Sequence, residues 1–232
     1  MPTRTESRAS SRTELSRGRI LDAAQAVIDR EGDSALTFRR LGAELDADPT
    51  AAYRYFRNKD DLLLALGDRV LGEGMEQTFA DLPDNADWRT ALRLTALALR
   101  DCLVRHPKLA TIISVRVTQG EHEAEGIERG LAALVDAGLS IEEAVGIQRA
   151  LADTVLAWAA FWASYLALPA EAKARDAAAW VTTYRQLPAD DFPNIHAARP
   201  YLDDHDDAFG LALDIFLDGI ASRIAARSQE TP

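Results

Sequence analysis

The sequence predicts an all-α fold in two parts, and three observations predict it. Apolar residues recur with helical spacing almost from end to end. No five-residue run alternates apolar and polar residues between hairpin turn residues, so no strand is expected. The charge divides the chain: residues 1–60 hold eleven Arg or Lys against ten Asp or Glu, residues 61–232 hold 15 against 27, and the whole carries −11. A chain of 232 residues fits one large domain or a small one joined to a medium one, and it buries roughly 72% of its extended surface without disulfide or metal staples.

Residues 1–14 form a basic arm. Five arginines and two glutamates lie among serines and threonines in the first nineteen residues, with nothing to build a core, so the arm is read as disordered, either solvated or touching phosphates. The first helix is expected from near Thr13 to Arg30, with Ile20, Leu21, Ala24, Val27 and Ile28 on one stripe and Gly32 as its stop. Thr37 caps a short helix from Phe38 to Leu45. Asp48 caps another, opened by Pro49 and ending near Tyr55. Asn58 caps a fourth that carries Asp60 and Asp61 on its positive end and runs through Val70, before a joint at Gly72 and Gly74.

Longer helices follow. Trp88 to Arg105 places Trp88, Leu92, Leu99 and Leu103 on one face, and Ile127 to Val135 is a shorter helix ended by Gly138. Ser140 and Glu143 make a capping box from which the longest helix runs to Leu168. Ala170 to Leu187 is helical, residues 188–207 with three prolines and six aspartates read as a loop, and the last helix spans about 206–226, with Gly219 allowing close approach. The domains are thus the arm at 1–14, a small helical domain at 15–70 and a larger one at 71–232.

Several function classes drop out. One cysteine, Cys102, forms neither a disulfide nor a cysteine-rich zinc site, and the polar first nineteen residues lack a signal-peptide core, so a cytoplasmic location is expected. Thr154 to Ala170 has no charge for seventeen residues, yet it is alanine-rich and carries Ser164 and Pro169, so it reads as a buried helix and no membrane partner is expected. His106, His122, His196 and His205 are scattered; His122 between Glu121 and Glu123 reads as an exposed charged turn, and Asp203 to Asp207 lacks the spacing of a calcium loop. Cys102 reads as a small core residue. No catalytic motif, metal site or cofactor is expected.

Three helices in the first sixty residues, the last two short and tightly joined, satisfy the geometry of a helix-turn-helix DNA reader, with the second short helix entering the major groove. Arg39 and Arg54 suit guanine, Tyr53, Tyr55 and Lys59 suit phosphates, and Phe56 anchors the core. Spacing alone leaves open a three-helix hydrophobic unit with a solvated basic face. In the second half, Trp158, Phe161, Trp162 and Tyr165, with Arg116, Arg149 and Asp153 as polar anchors, are the candidate small-molecule pocket, or else core and interface aromatics.

Arg19-Ile20-Leu21-Asp22-Ala23-Ala24, Leu36 to Gly42, and Ala52-Tyr53-Arg54-Tyr55-Phe56-Arg57-Asn58-Lys59-Asp60-Asp61-Leu62 resemble the N-terminal domain of the tetracycline-repressor (TetR) family of transcription regulators. The resemblance implies base contacts at Arg39, Pro49, Thr50, Ala51 and Tyr53, and phosphate contacts at Thr37, Tyr55 and Lys59. Asp46 stands where a glycine often makes the turn. Gly138 to Ala144 and Phe209 to Ile220 resemble the tetracycline-repressor branch more weakly. That likeness implies a homodimer through the helices at about 141–168 and 206–226, for which Ala157, Ala159, Ala160 and Ala163 allow close packing. The branch's magnesium–tetracycline ligands do not carry across, because Ile113 and Phe161 occupy those positions. The expected function is a homodimeric regulator, a repressor of a palindromic operator in double-stranded DNA, released by a small apolar or aromatic effector. A helical adaptor or an enzyme using the aromatic pocket are the alternatives.

Overall fold

Why the first element begins and ends where it does is local chemistry. In the computed structural model, which describes residues 15–83, 86–201 and 208–230, helix α1 (Arg17–Glu31) opens where Ser16 accepts the Arg19 N–H. It buries Ile20, Leu21, Ala24, Val27 and Ile28, and it stops at Gly32, whose φ of 87° lets its N–H return to the Ile28 carbonyl. The arm at 1–14 and the aspartates at 203–207 lie outside the described residues. By internal packing the chain forms one unit ending at Leu66 and another starting at Gly67.

In the first unit, Thr37 caps α2 (Phe38–Leu45) by accepting the Arg40 N–H at 3.0 Å. Asp46 takes the left-handed conformation at φ 48°, as the sequence expects of a turn without glycine. The next element differs from the α-helix expected. Pro49–Arg54 is a 3-10 helix, in which Asp48 accepts both the N–H and the hydroxyl of Thr50 at 2.7 Å and the Tyr55 N–H closes on the Ala52 carbonyl three residues back. Only seven residues separate the Asp48 cap from the buried Phe56, which favours this tighter winding. α2 and this turn approach closely because residue 42 is glycine: an added Cβ would lie 2.9 Å from the Ala47 carbonyl oxygen and 3.0 Å from the Pro49 Cα. Charged groups clasp α1 to α2, with Glu44 between Arg30 (2.8 Å) and Arg40 (2.9 Å) and Arg40 also on Glu31 (2.7 Å).

Helix α3 (Lys59–Asp81) starts where Asn58 accepts the Asp61 N–H at 2.8 Å. It runs unbroken through Gly72 and Gly74, where the sequence suggests a joint. Neither has positive φ; a Cβ at 72 would lie 2.4 Å from the His122 ring and one at 74 would lie 2.9 Å from the Cys102 Cβ, so both glycines serve close packing inside a helix. The second unit continues with α4 (Trp88–Arg105), α5 (Pro107–Ile113), α6 (Glu121–Asp136), α7 (Ile141–Leu166), α8 (Ala170–Arg185), α9 (Pro193–Ala198) and α10 (Ala208–Glu230). α7 is the hub: it packs on α4, α5 and α6, and α10 lies against α4 and α7. Its start is the predicted capping box of Ser140 and Glu143. The core joins Leu92, Leu134, Leu151, Val155, Phe209 and Leu217. Cys102 is buried against Gly74 of α3, and burial pushes its thiol up to about 12. Three elements depart from expectation. α5 and α9 are seven and six residues long, each opened by a proline, too short to show a helical period, and α6 begins six residues before Ile127. Among the described residues no single helix is long and apolar enough to cross a membrane.

The start of α6 is also where His122 departs from an exposed turn. Gly120 occupies the cap position and has no side chain to offer. The missing cap comes from α3: Asp68 accepts the Glu123 N–H at 3.0 Å with one oxygen and meets His122 Nδ1 at 2.9 Å with the other. Gly120 is required, since a Cβ there would lie 1.9 Å from the Asp68 carboxyl carbon. Thr118, buried, donates to Glu123 at 3.0 Å, and the Gln119 N–H donates to the same carboxylate at 2.9 Å. Burial opposes ionisation of Asp68, yet the bonds from Glu123 and His122 outweigh it and hold the carboxyl below its ordinary range. His122 is raised, first by its hydrogen bond with Asp68, against desolvation, with Glu76 and Glu121 adding to the effect.

Two outcomes are expected. Gly42→Ala should cost about 1–3 kcal/mol by overpacking, read as a lowered denaturation midpoint beside Arg39→Ala, which should stay within about 0.5 kcal/mol of the parent. His122→Asn should destabilise in a pH-dependent way. Because the folded-state value of His122 is raised, its contribution is complete below the ordinary histidine pKa and vanishes as pH rises through the raised one. The gap in melting temperature between parent and variant should therefore be widest near pH 6 and close by pH 9; a gap independent of pH would contradict this.

Candidate nucleic-acid interface and ligand cavity

In the first unit the predicted DNA-binding residues lie at the α2 start, along the 3-10 turn and its Tyr55 cap, and, for Lys59, at the first position of α3. Thr37, Arg39, Pro49, Thr50, Tyr53, Arg54 and Tyr55 are exposed, whereas Ala51 and Lys59 are half-buried. Ala52, next to Ala51, is buried in the core. The neighbouring arginines of α2 have opposite fates. Arg40 is neutralised in the clasp with Glu31 and Glu44, while Arg39 makes no hydrogen bond or ion pair among the described residues and keeps five donors for an outside acceptor.

Neighbours fix the orientation of the rest. The Tyr53 ring packs on Phe38 with centroids 4.3 Å apart, holding the phenol at the surface at 57% exposure. The Thr50 hydroxyl donates to Asp48, which leaves its oxygen free to accept. Asp48 is held below the ordinary carboxylate range, first by that hydroxyl and then by the Thr50 N–H. Lys59 Nζ donates to the Asp33 carbonyl, and two of its three donors remain. Tyr55 is arranged otherwise: its one hydroxyl proton goes to the Leu15 carbonyl, fastening the start of α1, so in this geometry it has no donor for a phosphate.

In the second unit a cavity of about 490 Å³ opens between α3, α4, α6, α7 and the segment joining α5 to α6. That size suits a small organic molecule. Its walls are apolar, with Leu71, Met75, Leu99, Ile127, Leu131 and Leu156, and Val115 and Val117 are 82% and 65% exposed at its edge. Arg116, Arg149 and Asp153 lie in this wall. The aromatics Trp158, Phe161, Trp162 and Tyr165 do not line it, because it borders only residues 145–156 of α7 and they lie further along the same helix. Spacing of three and four residues stacks them on one another: Trp158 on Trp162 (5.6 Å), Trp162 on Tyr165 (5.1 Å), and Trp158 against Phe209 of α10 (5.1 Å). Phe161 stands 63% exposed and Ile113 is buried, and as hydrocarbon side chains neither carries an atom that ligates a metal. Sequence reasoning missed Gln148, Glu123 and the neighbours of Arg116, namely Ser114, Val115 and Val117, all in the cavity wall. No residue pattern marks them, since the wall is assembled from five parts of the chain.

Residues 20–66 match the model of bacterial regulatory proteins of the tetR family, and residues 82–224 match the tetracyclin repressor-like C-terminal domain. The transcriptional repressor Rv1353c of Mycobacterium tuberculosis is 36% identical over 136 residues, 57% of this chain and 51% of that one, so the match spans about half of that relative's length. The class A tetracycline repressor from transposon 1721 of Escherichia coli is 29% identical over 223 residues, 95% of this chain and 97% of that one. The apo structure of ActR from Streptomyces coelicolor is similar with a TM-score of 0.77 at 28% identity, covering 92% of this chain and 98% of that one, and ActR has also been solved in complex with actinorhodin (TM-score 0.75, 30% identity, 91% and 99% covered). The chain belongs to the TetR family of bacterial transcription regulators.

Proposed function

We propose that this protein is a cytoplasmic transcriptional repressor that binds a palindromic operator as a homodimer and is released by a small apolar or aromatic effector. The observation that carries the reading is the contrast between Arg40, bound by two carboxylates, and Arg39, unengaged on a solvent-facing surface with Thr50, Tyr53 and Arg54. In this reading Arg39 and Arg54 read base edges with Pro49, Thr50, Ala51 and Tyr53, while Thr37 and Lys59 hold phosphates. The working domains are then 15–70 for reading and 71–232 for regulation.

The dimer would form through α7 and α10. Ile141 and Phe161 on α7 and Leu211 and Ile215 on α10 are each more than 60% exposed, a large apolar surface to leave in water, and Gly146 and Gly219 on these helices face open space. Ala159 and Ala163, read from sequence as interface residues, are already buried within one chain. The effector would occupy the 490 Å³ cavity, and the actinorhodin complex of ActR supports an aromatic molecule. Its effect would pass through Glu123, which lines the cavity, whose carboxylate holds Thr118 and Gln119 and whose N–H binds Asp68 of α3. A ligand that favours one arrangement of this joint over another by about 1.4 kcal/mol changes operator affinity tenfold. Displacing reading heads from the 34–36 Å spacing of successive major grooves gives that loss a structural form.

On a selected palindrome, Arg39→Ala should lose about 1–3 kcal/mol and relax preference at one base position, whereas Lys59→Ala should weaken all duplexes alike and flatten the salt slope by about one. Competition binding across single-base variants at several salt concentrations separates the two; equal losses on every sequence would remove Arg39 from base reading. Leu211→Asp should turn the dimer into monomers by sedimentation equilibrium and lower operator affinity at least tenfold. A dimer that survives this change forms through another surface.

A further inference from the structure

The polar groups in the cavity wall are not equally available. The Ser114 hydroxyl donates to the Ala110 carbonyl, and Glu123 accepts from Thr118 and Gln119. Arg149 and Asp153 pair with one another at 3.8 Å on the solvent side, with side chains 83% and 67% exposed. Gln148 is different. Its Oε1 is buried and has no hydrogen-bond partner among the described residues, and its amide lies over Gly130, where a Cβ would stand 2.2 Å from that oxygen. The glycine makes room for an amide oxygen that nothing among the described residues uses. Gln148 also borders a recess of about 40 Å³ that shares Thr95, Leu99 and Gly126 with the main cavity and is otherwise lined by Leu92, Leu151 and Val155.

An unsatisfied buried amide destabilises a fold, and leucine or methionine would fill the same space without that cost. A glutamine held there is accounted for if its partner arrives with the ligand. The terminal amide torsion is soft, so either edge can turn toward the cavity. We propose that Gln148 is the specificity-determining residue of the cavity, selecting molecules whose apolar body carries a hydroxyl or similar hydrogen-bonding group on its buried end. The inference rests on the cavity being the effector site.

The test uses the full-length protein with 2-naphthol and naphthalene, two probes that differ by one hydroxyl, titrated by calorimetry into the parent, Gln148→Leu, Gln148→Met and Ala152→Trp, the last placing an indole in the cavity wall. The ratio of 2-naphthol to naphthalene affinity should fall at least fivefold in both Gln148 variants. Without ligand, both variants should melt above the parent, because the unpaired amide is gone. An unchanged ratio, or ligand-free variants that melt below the parent because the protein itself holds the amide, overturns the assignment. If both probes bind the parent and Ala152→Trp blocks them, yet the ratio stays constant, only the role of Gln148 fails. If Ala152→Trp binds them as the parent does, or the parent binds neither, the effector-cavity reading fails and the role of Gln148 falls with it.

Discussion

The carboxylate of Asp68 is the constraint on which the second unit is arranged. Helix α6 begins at a glycine that offers no cap, so its first N–H groups need an acceptor from elsewhere. Asp68 of α3 supplies one, and a partly buried carboxylate so placed must be satisfied on both oxygens, which the Glu123 N–H and the His122 ring accomplish. The close fit then dictates the residues around it. Gly120 leaves room for the carboxylate, Gly72 for the imidazole, and Gly67 for Ile113 and Thr118. The segment from Ser114 to Gly120 is pinned between α3 and the cavity, with Glu123 part of both. A joint held by directed bonds and glycine contacts has few arrangements available to it, which is the property a two-state relay needs.

Much of the fold was legible because its signals are local. A cap and its amide lie within three residues, so Thr37, Asp48, Asn58 and the Ser140–Glu143 box could be read directly from spacing. Asp46 was readable for the same reason: its left-handed turn needs no distant partner. What escaped depends on partners remote in sequence. Gly72 and Gly74 look like a hinge until the His122 ring and Cys102 are placed against them. His122 looks like a solvated residue between two glutamates until Asp68, 54 positions away, is found beside it.

The same distinction separates the two candidate sites. The reading face is built almost entirely from residues 37–59, within one short contiguous stretch, so residue type and spacing identify it. Even there, the committed hydroxyl of Tyr55 depends on Leu15, forty positions earlier, and sequence could not show it. The cavity takes its wall from five parts of the chain and mostly from ordinary aliphatic residues. Sequence drew attention to the aromatics because aromatics are conspicuous. Their spacing of three and four residues along α7 places them on one another and on Phe209 instead.

The charge of the chain bears on how it would discriminate among DNA sites. A protein with a net charge of −11 gains little from a long-range field around DNA, which favours basic surfaces. At physiological salt the screening length is about 8 Å, so contact depends on the few cations placed at the reading face itself. Most neighbouring cations there are neutralised: Arg30 and Arg40 by Glu44 and Glu31, and Arg57 by Asp61. Among the described residues of α2 and the 3-10 turn, Arg39 and Arg54 are the arginines that no carboxylate pairs, while Lys59 faces Asp33 at 3.9 Å. In the proposed reading, where few unpaired cations stand on these two elements, affinity would come from fit to particular base edges. A repressor built this way would spend little time on the wrong sites, and a modest change in the geometry of its reading heads would be enough to release it from the right one.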